Sequence, residues 1–311
     1  MNQKRIISLT FNPTVDKSSA VDTVASEIKL RCDPPRFDAG GGGINVSRAI
    51  RKLGGDSLAV YTQGGATGSM LHQLLDGEGV RQHPIAITGM TRENLTVFER
   101  TSTHQFRFGM PGPVLNPAEW DACIQALIDS DADYVVASGS LCPEMPDDAY
   151  AQLARRLPNA EQRLIVDTSG AALEAMKGTN VLLLKPNLDE IEALSGEKFQ
   201  GEEELIAVAR HLIERRMAQV LVISMGSAGA LMVSADEDVH VRPPVVPIRS
   251  KVGAGDSMVG GLTLALARGW SLREAVRYGV ACGSAAVMSE GTGLCQLEDV
   301  ERLYPRVKVL S

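Results

Sequence analysis

The sequence predicts an α/β protein with a doubly wound, mostly parallel sheet and helices on both of its faces. Short apolar runs rich in β-branched residues alternate along the chain with segments of helical periodicity. That alternation is typical of a parallel sheet covered on both sides. The 311 residues are 44% apolar, which suffices for a sizeable core. The sequence has no internal repeat and no obvious linker, so we expect a single α/β domain over residues 1–311.

Six strands are predicted, with helices between them. The strands are 6–11, 57–64, 133–139, 163–169, 181–187 and 220–226. The helices include 44–53, 68–77, 117–129, 147–157, 171–177, 188–195, 203–216 and 256–268. Ligands of such sheets bind beyond the carboxyl ends of the strands. We therefore expect one functional rim that includes Asp16 and the segments 64–65, 138–140, 185–187 and 224–226, with Asp167 among them.

Two segments interrupt the alternation of strands and helices. Residues 15–38 are extended and polar, and residues 92–109 read as two strands around a turn at 101–104. Strands inserted at about 15–38 and 88–109 would form a small β-sheet over one end of the core. Such a sheet could act as a lid or as a dimer surface.

Composition excludes several classes of function. Acidic residues outnumber basic ones by 38 to 31 and aromatics are only 4%, so binding to nucleic acid is not expected. No uninterrupted apolar run of about 18 residues occurs, so no membrane span is expected. The five cysteines form no CxxC pair. They are expected to be buried, reduced thiols in a cytoplasmic protein.

A run of four glycines, at residues 40–43, precedes the helix predicted to begin near Ile44. Glycine lets a ligand approach the backbone, and a helix N-terminus offers free N–H groups. Asn45 could add an amide for a hydroxyl-rich ligand, so a sugar site is favoured over a bare turn. A Walker A sequence is absent and the 64–70 segment lacks full GxGxxG spacing, which argues against a P-loop kinase and a dinucleotide site.

Two further segments could serve a nucleotide and its metal. Asn187 and Glu190 lie three residues apart at a predicted helix start and could orient hydrated Mg²⁺, with Asp167 on the same cation. A plain capping box explains the Asn-x-x-Glu spacing equally well. In the 223–231 segment, the strand and glycine turn could border a nucleotide phosphate, or could be an ordinary β-turn.

Basic residues for an anionic substrate occur in the two inserted segments. Lys29 and Arg31 alternate along the first segment, so their side chains would share one face. Arg92 opens the second segment. A substrate phosphate would explain all three, and a solvated surface is the alternative.

The sequence VGAGDSMVGG, at 252–261, combines an anion site with a carboxylate. Backbone N–H groups of Gly253, Ala254 and Gly255 at a helix start can bind a negatively charged oxygen. Asp256 could cap that helix, or could accept the proton of an attacking hydroxyl. An anion hole beside a base suits phosphoryl transfer.

Three motifs together resemble the ribokinase-like, PfkB-type carbohydrate kinases. They are KVGAGDSMVGG at 251–261, GGGGINVSRAIRKLGG at 40–55 and KPNLDE at 185–190. The resemblance covers the whole chain, including the inserted strands. It implies a ribokinase-like fold, ATP and Mg²⁺ as cofactors, K⁺ as a third, and a homodimer joined through the lid strands, in which a second MgATP inhibits.

Within the family, the likeness points to phosphorylation of fructose 6-phosphate at its 1-hydroxyl, a glycolytic reaction. Gly42 stands where related 1-phosphofructokinases and tagatose-6-phosphate kinases commonly have Lys. Those two activities remain the alternatives. A third reading, a catalytically silent sugar-phosphate sensor, is opposed by the joint presence of Asp256, Asn187 and Glu190.

The resemblance also implies roles for individual residues. Asp256 would be the general base, and Gly253, Ala254 and Gly255 its anion hole. The sugar would be held by Asp16, Gly41, Gly42 and Asn45, with Ser140 nearby, and its 6-phosphate by Lys29 and Arg92. The nucleotide would be lined by Lys185, Asn187, Ser224, Gly226, Gly229 and Ser284. Glu190 and Asp167 would act on Mg²⁺ largely through water.

Potassium would be bound by backbone carbonyls near the anion hole, at Ser250, Val252, Ala286, Ser289, Gly291 and Gly293. Here the chain departs from the resembled pattern, which has Asn at position 289 and Arg at position 293. The SLCPEM stretch at 140–145 also lacks the expected Pro-Pro-Gly turn. Both departures weaken what the resemblance implies for these residues.

Overall fold

A computed structural model describes residues 3–199, 201–291 and 293–310. Within these residues the chain has fourteen strands and eleven α-helices. The strands are β1 (Ile6–Thr10), β2 (Thr14–Val21), β3 (Arg36–Gly40), β4 (Leu58–Gln63), β5 (Arg81–Ala86), β6 (Arg92–Glu99), β7 (Gln105–Phe108), β8 (Tyr134–Ser138), β9 (Leu164–Asp167), β10 (Val181–Leu184), β11 (Ala218–Ser224), β12 (Ala230–Ser234), β13 (Asp238–Arg242) and β14 (Lys308–Leu310). The helices are α1 (Gly42–Lys52), α2 (Gly65–Gly77), α3 (Pro117–Ile128), α4 (Ala149–Arg156), α5 (Ala160–Arg163), α6 (Gly170–Glu174), α7 (Leu188–Ser195), α8 (Glu202–Glu214), α9 (Ala254–Ala267), α10 (Leu272–Ala286) and α11 (Leu297–Leu303).

Ten strands form the main sheet, in the order β14-β13-β12-β11-β10-β9-β8-β1-β4-β5. The seven strands from β11 to β5 pair in parallel. The three strands beyond β11 pair antiparallel. The prediction of a mostly parallel α/β sheet is therefore confirmed.

The main sheet is doubly wound, with one core on each face. One core packs β1 and β8–β11 against α3, α4, α7 and α8. The other packs the opposite sides of the strands against α1, α9, α10 and α11. Alternate residues of one strand supply the two cores: Ile7 and Leu9 of β1 belong to the first, and Ile6 to the second. The central strands are thus buried on both faces, which explains their apolar sequences.

The four remaining strands form a second, smaller sheet in the order β3-β2-β6-β7, which we call the small sheet. Val15 and Ala39 on one of its faces pack on α2 in a third apolar cluster. Asp16 and Asn94 lie on the opposite face, where they are joined by a hydrogen bond. The turn predicted at 101–104 lies within the β6–β7 connection.

The prediction for residues 15–38 was wrong in its middle part. Only β2 and β3 are strands, and the residues between them, 22–35, have no regular structure. This stretch contains Pro34 and Pro35, which cannot donate backbone hydrogen bonds to a sheet. The second insertion also begins later than residue 88, because β6 starts at Arg92.

The glycine run brings α1 against the ends of two strands. The helix begins at Gly42, two residues earlier than predicted. A Cβ atom on Gly43 would lie 2.2 Å from the Leu9 carbonyl oxygen, and one on Gly42 would lie 2.4 Å from Ser138 Oγ. Since neither approach leaves room for a side chain, these glycines let the helix start touch β1 and β8.

The cysteine prediction holds for four of the five thiols. All five are free, and Cys123, Cys142, Cys282 and Cys295 are buried. Cys32 is exposed, because it lies in the irregular 22–35 segment rather than in a core. In the described parts of the chain we find no helix with the length and apolar character that crossing a bilayer requires.

Candidate active site

The predicted rim brings several strand ends and two helix starts together. The start of α1 contacts the end of β8 at Ser138, and its Asn45 reaches α9. Lys185, which follows β10, contacts Asp167 at the end of β9. A Cβ atom on Gly255, in the first turn of α9, would lie 3.6 Å from Lys185 Nζ. The α1 start, the α9 start and the ends of β8, β9 and β10 therefore surround one location.

Asp256 is not the N-cap of α9. The N-cap is Gly253, whose φ of 74° is in the left-handed region, and Asp256 is the third helical residue. The N–H groups of the first helical turn have no acceptor within the helix, so they can bind an anion. The carboxylate of Asp256 instead accepts a hydrogen bond from Asn45, with Nδ2 and Oδ2 2.9 Å apart.

The surroundings of Asp256 favour proton uptake near neutral pH. Burial, with a further contribution from the nearby carboxylate of Asp167, raises the pKa of Asp256 to about 6. The Asn45 hydrogen bond and the positive charges of Lys185 and Arg48 act in the opposite direction. A carboxylate with this balance can hold a proton transiently at physiological pH.

Lys185 is a buried cation that faces three carboxylates. Burial opposes its charge, but Asp167, with smaller contributions from Glu190 and Asp256, raises the pKa of Lys185 above its usual value. Its Nζ lies 3.1 Å from Asp167 Oδ1. The ammonium therefore stays charged and compensates the negative charge that Asp167, Glu190 and Asp256 concentrate here.

Asn187 and Glu190 form the capping box of α7. Asn187 Oδ1 accepts the Glu190 N–H at 2.8 Å, and Glu190 Oε2 accepts the Asn187 N–H at the same distance. Burial raises the pKa of Glu190 above its usual range. The capping-box explanation of this spacing is thus correct. Only the Oε2 atom of Glu190 takes part in the box, so its Oε1 atom is available to another partner.

The nucleotide candidates border a tight turn after β11. Ser224 forms an isolated bridge to Asn187, which joins this turn to the α7 start. A short 3₁₀ helix spans Gly226–Ala228, and Gly226 and Gly229 both have positive φ. Ser284 belongs to a different element: it is buried in α10, and its Oγ donates to the Val280 carbonyl.

Around Asp16, polar side chains connect the small sheet to β1. Asn94 Nδ2 donates to Asp16 Oδ1 at 3.1 Å, and burial raises the pKa of Asp16 above its usual range. Arg92 donates to the main-chain oxygens of Asn12 and Met110, and burial lowers the pKa of its guanidinium. Asn12 in turn donates to Ser140 Oγ at 3.3 Å. Asp16, Arg92 and Ser140 thus belong to one network.

A cleft of about 270 Å³ separates the small sheet from the loop before α9 and the loop after α10. Its wall on the small sheet carries charged and amide side chains, and its other wall consists of Ser250, Val252 and Gly291. The residues of the first wall are Asp16, Lys17, Ser18, Asp38, Asn94, Leu95, Thr96, Gln105, Arg107, Phe108 and Gly109.

The loop of the predicted potassium carbonyls closes on itself beside the anion site. Ser289 Oγ donates to the Leu294 carbonyl at 2.8 Å, and the Ser289 N–H donates to the Ala286 carbonyl. A Cβ atom on Gly293 would lie 3.0 Å from Ser289 Cβ. Leu294 is fully buried, has a positive φ of 55°, and would touch a Cβ atom on Gly253 at 2.4 Å. The two residues that depart from the family pattern therefore contact each other.

Lys29 does not join these groups in the structure. It lies exposed in the irregular 22–35 segment, and among the described residues it makes no ion pair. The alternation argument for Lys29 and Arg31 was wrong, since alternation assigns faces only within a strand.

Three residues at the site were not predicted from the sequence. Asn94 and Asn12 hold Asp16 and Ser140, and Arg48 donates to the Asn45 side chain. Arg48 lies in the glycine signature, three residues after Asn45, where a helix places two side chains together. That spacing is the only sequence signal for any of the three, because the other contacts join distant segments.

Residues 7–299 match the model of the family described as pfkB family carbohydrate kinase. The chain belongs to this family. The predicted resemblance is therefore confirmed, and so is the class of enzyme: the chain is a carbohydrate kinase of the pfkB family, whose phosphoryl donor is ATP.

Several relatives of this pfkB kinase are similar over nearly its whole length. The ATP-dependent 6-phosphofructokinase isozyme 2 of Mycobacterium tuberculosis is 42% identical, over 96% of this chain and 89% of the relative. The protein of the same name from Escherichia coli is 40% identical, over 96% of this chain and 98% of the relative. A 1-phosphofructokinase of Borreliella burgdorferi is 32% identical over 98% of each chain.

Solved structures agree with the fold. The crystal structure of phosphofructokinase-2 from Escherichia coli in complex with potassium has a TM-score of 0.92 and 40% identity, and covers 97% of this chain and 99% of the other. A structure of the same E. coli protein in its tetrameric inhibited form has a TM-score of 0.91. The ribokinase-like α/β fold with a second small sheet is thus confirmed.

Proposed function

We propose that this pfkB kinase transfers the γ-phosphoryl group of ATP to the 1-hydroxyl of fructose 6-phosphate, giving fructose 1,6-bisphosphate. The observation that carries the proposal is the position of Asp256. Its carboxylate lies in the first turn of α9, beside free backbone N–H groups, and is oriented by the Asn45 amide. The 40–42% identity to two 6-phosphofructokinases supports the choice of sugar.

In the proposed reaction, Asp256 accepts the proton of the 1-hydroxyl as the sugar oxygen bonds to the γ-phosphorus. The bond from that phosphorus to the β–γ bridging oxygen breaks, and ADP leaves with the electron pair. Negative charge on the transferring group is stabilised by the N–H groups of Gly253, Ala254 and Gly255. Asp256 later returns its proton to water. Its raised pKa suits both proton transfers at neutral pH.

The sugar phosphate occupies the cleft between the small sheet and α9 in this proposal. Asp16, Asn45 and the backbone at Gly41 and Gly42 bind the hydroxyl groups. Arg92, with Ser140 near it, binds the 6-phosphate. The buried Arg92 Nε has no hydrogen-bond partner among the described residues, so the guanidinium retains a donor for an anion. Lys29 reaches the phosphate only if the 22–35 segment folds over the cleft.

The nucleotide and the metal occupy the other side of Asp256. Lys185, Asn187 and Ser224, the turn at Gly226 and Gly229, and the Ser284 region of α10 line the nucleotide site. Among the residues that the structure describes, no three metal-ligating side chains form a complete metal site. Mg²⁺ needs only one or two carboxylates when phosphates and water complete its shell, and Asp167 and Glu190 fit that requirement. When bound, Mg²⁺ neutralises the charge of the transferring phosphates.

Potassium is the second cation of the proposal. The carbonyls at Ser250, Val252, Ala286, Ser289, Gly291 and Gly293 belong to segments beside the anion site, and backbone oxygens are a donor set typical of K⁺. Support comes from the E. coli relative, whose structure contains potassium. Because Ser289 and Gly293 stand where the family pattern has Asn and Arg, we expect only modest activation by K⁺.

A substrate comparison tests the proposal. The measurement is kcat/KM for fructose 6-phosphate, tagatose 6-phosphate and fructose 1-phosphate with MgATP, each with K⁺ and with Na⁺. We expect fructose 6-phosphate to be preferred at least tenfold. The 32% identity to a 1-phosphofructokinase makes fructose 1-phosphate the principal alternative, and preference for it would replace the proposed substrate.

The same assay tests the role of Asp256. We expect Asp256→Asn to lower kcat by about 10²- to 10⁴-fold, a typical contribution of a positioned base. Calorimetric affinity for ATP should change little, because the variant retains shape and hydrogen bonding. Unchanged turnover would exclude Asp256 as the base.

We further propose that two chains associate through their small sheets. Four large apolar side chains in or beside this sheet are exposed: Ile28, Phe98, Phe108 and Met110. Exposed apolar side chains grouped in this way are typical of an interaction surface. A cytoplasmic location is part of the same proposal, supported by the five free thiols.

A further inference from the structure

Arg48 is a buried guanidinium beneath the catalytic end of α1. Only 2% of its surface is exposed. Its Nε lies 2.9 and 3.0 Å from the two carboxylate oxygens of Glu78, and its Nη2 lies 2.7 Å from Glu78 Oε1. Its Nη1 donates to the Ala39 carbonyl at 2.5 Å and to Asn45 Oδ1 at 3.1 Å. Arg48 thus joins α1 to the end of α2 and to β3.

The contact with Asn45 fixes which end of that amide faces Asp256. Asn45 is 6% exposed and spans the space between Arg48 and Asp256. Its Oδ1 accepts from the guanidinium, so its Nδ2 donates to the Asp256 carboxylate. A reversed amide would place an oxygen against the carboxylate and an NH₂ group against the guanidinium. Both contacts would then be repulsive, because a carboxylate has no proton to donate and Arg has no acceptor.

We propose that Arg48 is a positioning residue for the phosphoryl transfer, which acts by holding the Asn45 amide in the orientation that donates to Asp256. Glu78, at the end of α2, holds the guanidinium in turn. The inference rests on the proposed role of Asp256 as the base. It assigns Arg48 no contact with either substrate.

A purely electrostatic role is the competing explanation. The charged groups that face Asp256 are Asp167, Lys185 and Arg48, and the Arg48 charge also favours the ionised form of Asp16. If only the charge of Arg48 mattered, the Arg48→Lys variant would keep normal activity and a normal Asp256 titration. If the fork geometry matters, lysine fails, because one ammonium cannot hold Glu78 and also reach the Ala39 carbonyl and the Asn45 amide.

The experiment compares Arg48→Gln and Arg48→Lys with Arg51→Gln as the matched control. Arg51 lies one turn further along α1, is exposed, and lies beside Gly79 at the end of the same helix α2. We expect both Arg48 variants to lower kcat by about 10- to 100-fold, the scale of a misplaced reacting group. The KM for ATP should stay within about twofold. The acid limb of the pH profile should move to higher pH by about half a unit or more, because Asp256 loses its oriented donor.

Carboxyl ¹³C NMR of aspartate-labelled protein provides a readout that needs no turnover. The Asp256 signal is assigned by its absence in Asp256→Asn, and its titration midpoint should rise in both Arg48 variants but not in Arg51→Gln. In an Asn45→Ala background, Arg48→Lys, which retains the charge, should shift the midpoint no further, since the amide through which it acts is gone. This outcome can be judged even if Asp256→Asn retains turnover and the proposed base is wrong.

Three results would overturn the proposal. The first is a normal midpoint and acid limb in Arg48→Lys, which would leave only a charge effect. The second is a shift of the Asp256 midpoint by Arg48→Lys that is equally large in the presence and absence of Asn45. The third is a loss of kcat in folded Arg48→Gln with no change of the midpoint, which would make Arg48 a structural clamp alone. Arg48→Lys retains the charge and serves if Arg48→Gln does not fold.

Discussion

Asp256 has a pKa set by competing neighbours, and this has a consequence for the pH dependence of the reaction. Burial and Asp167 raise the pKa to about 6, while Asn45, Lys185 and Arg48 lower it. As the proposed base, Asp256 works only when it is ionised. Protonation below this pKa should therefore remove activity, and activity should return as the pH rises.

The expected pH profile is a limb in kcat/KM for the sugar phosphate centred near pH 6, with a loss of about tenfold for each unit below it. The profile should be measured at saturating MgATP, with ATP titration below pH 7 corrected by parallel binding data. A flat profile down to pH 5 would show that the ionising group is not a carboxylate with the environment of Asp256.

At the residue scale, the sequence was informative where a short motif carried the chemistry. Asn45, Lys185 and Asp256 lie in such motifs and meet in the structure. Asn94 could not be found in this way, because its bond to Asp16 joins residues 78 positions apart. The face assigned to Lys29 was wrong because the segment that contains it is not a strand.

At the element scale, the start of α1 depends on a glycine that no other residue can replace without movement. A Cβ atom on Gly43 would lie 2.2 Å from the Leu9 carbonyl oxygen and 2.7 Å from Thr10 Oγ1. Both atoms belong to β1, in the centre of the main sheet. The helix must therefore shift as a body to accept a methyl group, and it would carry Asn45 with it.

We expect Gly43→Ala to lower the unfolding free energy by about 1–3 kcal/mol, the usual cost of overpacking a core. The measurement is thermal and urea unfolding, with kcat as a second readout that should also fall. Gly77→Ala is the control, because a Cβ atom there meets nothing within 4 Å, and its stability should be unchanged or slightly higher. Equal stabilities for the two variants would show that α1 tolerates displacement from β1.

The elements that the sequence predicted best are those with strong apolar patterns. Helix α7 has the predicted bounds, and each predicted strand differs by a few residues at most. Strand β5, RQHPIA, was not predicted, since it lies at the edge of the sheet and contains Pro84. Edge strands need few apolar residues and tolerate proline, so their sequences carry little signal. Strands β13 and β14 were also missed: β14 is an edge strand of three residues, and β13 is paired on both sides but is only five residues long, with polar residues at both ends.

At the scale of the whole molecule, the small sheet has two different surfaces. One face packs on α2, while the other carries the polar residues of the cleft and, further along β6, the exposed Phe98. Two chains that cover these apolar side chains would also bring the polar walls of their clefts near the interface. Association and the geometry of the sugar site would then be linked.

We expect Phe98→Asp to weaken self-association by about tenfold or more, because a charge replaces an apolar contact at the centre of the proposed interface. Light scattering over a range of protein concentrations measures the change. Val245→Asp is the control, since this side chain is 97% exposed and lies outside the small sheet. A parent chain that stays monomeric at all concentrations, or a Phe98→Asp variant that associates normally, would contradict the dimer.

Leu294 has a consequence for how this enzyme can change by mutation. The backbone of Leu294 has an unfavourable left-handed conformation, which costs about 1–3 kcal/mol. Its side chain fills the space directly above Gly253. Replacing it with glycine would relieve the backbone but would leave a hole over the anion site. A larger residue at position 253 would collide with the Leu294 side chain. A larger residue at position 253 therefore requires a smaller one at position 294, so an engineer who wishes to enlarge the first must redesign both segments in one step.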